Sequence, residues 1–76
     1  MPRLPHITGS EAVRALRRAG WQIDRVRGSH HVLTHTDQPG ATVVVPVHAG
    51  EILKPKTLGS ILDQARLSVE EFVDLL

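Results

Sequence analysis

The apolar positions of the chain recur at two different periods, and the change of period divides it into elements. Ala12, Val13, Leu16 and Ala19 recur at helical spacing, with Arg14, Arg17 and Arg18 on the other side. Thr8-Gly9-Ser10-Glu11 before them has the form of a capping box, with Thr8 as N-cap and Glu11 three positions on. Gly20 follows as a residue able to adopt a positive φ, so the pattern predicts a helix over about 9–19. From Trp21 the period shortens. Trp21 and Ile23 share a strand face while Val26 falls on the other, which predicts a bulge or a two-sided strand from Trp21 to Arg27. Gly28-Ser29 reads as a tight link into a second strand from His30 to Thr36. Asp37-Gln38-Pro39-Gly40 is a turn by residue type, and the β-branched run Ala41 to Val45 is a third strand that Pro46 ends.

A loop is expected from Val47 to Lys56. Leu58, Ile61, Leu62 and Ala65 then return to the i, i+3, i+4, i+7 pattern of an amphipathic helix. Ser68-Val69-Glu70-Glu71 is a second capping box, with Leu67 placed to staple onto Phe72, and opens a last helix at about 69–75. The order α-β-β-β-α-α predicts a two-layer α+β fold: a three-stranded antiparallel sheet with helices on one face. With 76 residues the chain has room for one domain, taken as 1–76, and one modest core.

Charge adds an asymmetry that the net value of +1 conceals. Residues 1–36 carry six Lys/Arg against two Asp/Glu, whereas residues 57–76 carry one Arg against four acids. A basic front half is an electrostatic footprint for phosphate, or simply a solvated surface. The absence of cysteine removes disulfides, thiolate chemistry and cysteine-containing zinc sites. No apolar run is long enough to span a bilayer, and Met-Pro-Arg-Leu-Pro lacks the apolar stretch of a signal peptide, so a cytoplasmic location is expected.

Five histidines are present, three of them between positions 30 and 35. On a strand, His31 and His35 stand roughly 13 Å apart, too far for one ion, and His30 and His31 point to opposite faces. No metal site is therefore assigned. Acid–base chemistry is a second use open to these residues, because imidazole accepts and returns a proton near neutral pH. RNA supplies its own nucleophile, the ribose 2′-hydroxyl. Its cleavage needs only proton transfer and stabilisation of a charged phosphorane, with no cofactor. The plainer alternative is a half-buried strand histidine. Trp21 is read as a core anchor, Ser29 as a turn or phosphate-contact residue, and His6 as part of a frayed terminus.

The spacing of these residues resembles a known family. Gly20-Trp21 after a first helix leads to Arg25-Val26-Arg27-Gly28-Ser29-His30-His31 and Thr34-His35-Thr36-Asp37. Val45-Pro46-Val47-His48, Gly50-Glu51, Lys54-Pro55, Thr57-Leu58 and Leu67-Ser68-Val69-Glu70-Glu71-Phe72 complete the pattern. Together, over about residues 9–75, they resemble the HicA toxins. The resemblance implies a double-stranded-RNA-binding-domain-like fold and a ribosome-independent mRNA endonuclease, neutralised by a HicB-type antitoxin. It implies a catalytic histidine in the Gly-Ser-His motif: His30 by the closest spacing, or His31 where relatives place it one step later. Gly28 and Ser29 would shape the loop, and Arg25, Arg27, Lys54 and Lys56 are candidates for RNA phosphate contacts. Two positions depart from the family, which often has glycine where Lys56 stands and usually has glycine where Arg66 stands. Arg66 must then accept a left-handed backbone or change the helix break. Two rival readings use the same fold without catalysis: an RNA-binding module, and an inactive protein that only pairs with the antitoxin.

Overall fold

The computed structural model describes residues 3–76. Helix α1 (Gly9–Arg18) starts where the first capping box places it. The Thr8 N–H donates to Glu11 Oε1 at 3.0 Å, and the Glu11 N–H donates to Thr8 Oγ1 at 3.2 Å. Strands β1 (Trp21–Arg27), β2 (His30–His35) and β3 (Thr42–Pro46) form an antiparallel sheet in the order β1-β2-β3. Helices α2 (Pro55–Ala65) and α3 (Val69–Val73) follow. The architecture is the α+β arrangement read from the pattern.

Several boundaries shift. The second strand stops at His35 rather than Thr36, and the third includes Pro46. Helix α2 begins at Pro55, so Lys56 lies in its first turn rather than in the preceding loop. Proline suits that first position because its missing N–H would find no partner there in any case. The last helix ends at Val73, earlier than the 69–75 expected.

The ambiguity in β1 resolves as a bulge. Pairing runs Trp21–His35 and Ile23–Leu33, then shifts so that Arg25 meets Val32 and Val26 meets His31. Asp24 is the extra residue, and the shift returns Val26 to the face of Trp21 and Ile23. That face carries the core: Trp21, Leu33, Val43 and Val45 pack with Leu16, Leu58, Ile61 and Phe72 in one buried cluster. Trp21 is thus the core anchor expected of it. The free edge of β3 is covered by α2, whose Gln64 Oε1 accepts the Val44 N–H at 3.0 Å.

Two tight approaches fix α1 to the sheet. A side chain on Gly9 would overlap the Pro46 carbonyl, and one on Gly20 would place its Cβ 2.5 Å from His35 Nε2. The segment before α1 is also held. The Leu53 N–H donates to the Ile7 carbonyl at 2.8 Å, so order begins directly beside His6, where fraying is expected from sequence. Arg66 adopts φ 57° and ψ 41°, taking the left-handed conformation that closes α2. Ser68 and Glu71 form the second capping box, the Glu71 N–H donating to Ser68 Oγ at 3.0 Å.

Candidate functional site

Arg27 and His30 pair directly across β1 and β2, leaving Gly28-Ser29 as a two-residue hairpin. Gly28 has φ 55°, and Ser29 is not among the positive-φ residues, a combination that fits a type II′ turn with glycine first. A Cβ on Gly28 would meet nothing within 4 Å, so the backbone angle is what calls for glycine here. The hairpin is clipped to the end of β3, because the Val47 N–H donates to the Ser29 carbonyl at 2.6 Å.

This hairpin fixes the register, and the register sends the two adjacent histidines to opposite faces. His30 lies on the face away from the helices, in a row with Arg27 and Pro46. The next row on that face holds Arg25, Val32 and Val44. His30, Arg25 and Arg27 are all exposed. Three of the residues singled out in the sequence are therefore brought together on one open surface at the mouth of the hairpin.

His31 lies on the other face, between Val26 and the fully buried Val45. It is half-buried, and its Nδ1 is buried without a hydrogen-bond partner. An N–H in that position would have no acceptor and a lone pair there has no donor, so the nitrogen is unpaired in either tautomer.

The third histidine of the cluster serves the fold. The His35 Nε2–H donates to the Ala19 carbonyl at 2.9 Å, and its Nδ1 accepts the Asp37 N–H at 3.1 Å. These partners fix the tautomer. The ring also meets Trp21 edge-on, with centroids 5.2 Å apart. Both ring nitrogens are engaged, which removes His35 from the candidates. Among the described residues, no group of three His, Asp or Glu side chains is placed to hold a metal ion.

Lys54 and Lys56 sit apart from the arginines, at the start of α2, and both are exposed. Lys54 is the N-cap, with no side-chain cap bond and no acidic residue in the first turn. Lys54 shares a groove with Pro46, His48, Glu51 and Thr57, whereas Lys56 does not line it. The groove is a feature that sequence reasoning did not assemble. Its only sequence signal is the Val-Pro-Val-His strand end, which by itself names no chemistry. Arg14, Arg17 and Arg18 are exposed on α1, and Arg18 Nη1 donates to the Leu75 carbonyl at 2.6 Å, tying α1 to the end of the chain.

No curated protein matches the sequence. The sequence profile described as the HicA toxin of bacterial toxin–antitoxin systems does match, over residues 9–67, a span that takes in α1, the whole sheet, the hairpin with its histidines, the groove and α2. The chain belongs to the HicA toxin family.

Proposed function

We propose that this toxin is a metal-independent endoribonuclease that cleaves mRNA in the cytoplasm, with His30 as a general acid–base group. The observation that carries the reading is the exposed His30 on one sheet face with Arg25 and Arg27, at a hairpin too short to shield it. A phosphodiester laid across that face meets two guanidinium groups suited to phosphate and an imidazole suited to proton transfer. Gly28 and Ser29 shape the approach, and Lys54 and Lys56 extend the basic surface. The order α-β-β-β-α fits the double-stranded-RNA-binding-domain-like architecture that the resemblance implies, in which RNA is met through its backbone.

One observation favours His31 instead. A buried nitrogen without a partner is uncommon and calls for a reason, and the ring between Val26 and Val45 has Nε2 as its other nitrogen. Purified His30→Ala and His31→Ala variants separate the two readings. We expect His30→Ala to lose about 10²–10⁴-fold in cleavage rate with its fold intact. Wild-type cleavage by His30→Ala together with an inactive His31→Ala would move the role to His31. Activity in both variants would move the chemistry to another residue, and a folded wild type without activity would leave the non-catalytic readings.

The partner is a HicB-type antitoxin. It would inhibit by covering Arg25, Arg27 and the Gly28–His31 hairpin with acidic or neutral surface, burying roughly 1,200–2,000 Å² in total. Amide exchange with and without the antitoxin tests this. Protection over residues 25–35 and 48–57 is expected. Protection confined to α3 would mean inhibition at a distance.

A further inference from the structure

Cleavage by the ribose 2′-hydroxyl requires two proton transfers, one from the attacking oxygen and one to the leaving oxygen, and His30 is one group. The fold sets a second histidine beside it. His30 pairs with Pro46 across β2 and β3. The ladder runs one rung further, through the Val47 N–H bond to Ser29. His48 comes next, so the register brings it level with Gly28, a position without a side chain. A turn holds it there: the Glu51 N–H donates to the His48 carbonyl at 3.0 Å, with Gly50 at φ 72°. His48 is exposed and lines a groove together with Pro46, the cross-strand partner of His30. His30 and His48 are therefore both exposed and both neighbours of Pro46, one across the ladder and the other in the groove.

We propose that His48 is the second proton-transfer group of this active site, an assignment that rests on the endoribonuclease reading above. One imidazole takes the 2′-hydroxyl proton as the O2′–P bond forms. The P–O5′ bond breaks with its electron pair going to O5′, which takes a proton from the other ring, present as imidazolium. The products are a 2′,3′-cyclic phosphate and a 5′-hydroxyl. One proton has passed from one histidine to the other, and exchange with water restores the pair. The charged groups around the two rings are Arg25 and Arg27 on β1, Glu51 in the loop and Lys54 at the start of α2. The guanidinium groups are suited to balance the charge that builds on phosphorus oxygens, and Lys54, at the groove, to hold the RNA backbone beside it.

The test measures kcat and KM against pH on a short single-stranded RNA, for wild type, His30→Ala, His48→Ala, His48→Gln and Lys54→Ala. Circular dichroism confirms that each is folded. The wild type should give a bell-shaped kcat profile. Both His48 variants should lose about 10²–10⁴-fold in kcat with KM little changed, and one limb of the bell should disappear. His30→Ala should lose the other limb. Lys54→Ala should raise KM and keep both limbs. If the His48 variants keep the wild-type kcat and both limbs, or change KM alone, while His30→Ala is inactive, the His48 assignment falls and the nuclease reading stands. A folded wild type that cleaves no RNA overturns both.

Discussion

Replacing His35 with alanine separates a histidine of the fold from its neighbours in the same short run. The substitution deletes the bond to the Ala19 carbonyl, the bond from the Asp37 N–H and the edge contact on Trp21. Each hydrogen bond contributes about 0.5–1.5 kcal/mol net, and an aromatic edge contact about the same. The three together contribute about 1.5–4.5 kcal/mol, with a middle value of about 3 kcal/mol. For a domain of this size each kcal/mol moves Tm by about 4–8 °C, so the middle value corresponds to a fall of roughly 12–24 °C. The measurement is thermal unfolding by circular dichroism, paired with RNA cleavage per folded molecule at a temperature well below both transitions. Cleavage should remain within about threefold of wild type, since loss of an acid–base group costs far more. A Tm within about 2 °C of wild type would refute the structural account. A folded His35→Ala protein slowed about a hundredfold would place the residue in the chemistry. Gly20 supplies an internal check. Gly20→Ala suffers both the 2.5 Å clash with His35 and the strain of φ 99°. In the His35→Ala background only the strain remains, so the two costs should not add.

Four further outcomes follow from other parts of the fold. Arg66→Gly should stabilise the protein by about 0.5–1 kcal/mol, because glycine removes the penalty of the left-handed backbone while costing some unfolded-state entropy; an unchanged Tm would count against that. The Glu11 and Glu71 carboxyls are held below their ordinary value of 4.5, chiefly by the backbone N–H groups of Thr8 and Ser68 and then by their hydroxyls. Their contribution is complete above that value and is lost as pH falls through the lower folded values, so Glu11→Gln with Glu71→Gln should flatten the acid limb of a denaturation–pH series. Lys54→Ala with Lys56→Ala should weaken RNA binding and flatten the log–log salt slope by about 0.7–0.9 for each phosphate no longer neutralised; an unchanged slope would place the RNA elsewhere. Cleavage should persist in EDTA, and a fall in rate restored by a divalent ion would point to a metal-assisted reaction.

How far each feature was legible depended on how local its cause is. Both capping boxes were readable because donor and acceptor lie three residues apart, within one turn of chain. The left-handed Arg66 is legible as one of two alternatives through the resemblance, because the family usually has glycine at that helix break. The bulge in β1 was readable because Val26 fell out of phase, although the phase alone did not say that Asp24 is the extra residue. The start of α2 is not legible locally because Pro55 carries two meanings, loop residue and first helical residue, and only the following packing chooses between them.

The histidines show where local reading stops. His30, His31 and His35 share one strand and similar neighbours in sequence, and nothing within that segment ranks them. His35 is claimed by Ala19, sixteen positions earlier, and by Trp21, both delivered by the turn at Gly20. His31 is claimed by Val45 from the third strand. His30 is left to the arginines because the two-residue hairpin pairs it with Arg27. A one-residue slip that paired Arg27 with His31 would reverse the face of every β2 residue relative to β1, setting His31 among the guanidinium groups and drawing His30 into the turn. The Gly-Ser pair therefore acts through register: its length sets which imidazole stands beside the arginines, and through Ser29 and Val47 it also fixes the strand end from which His48 emerges.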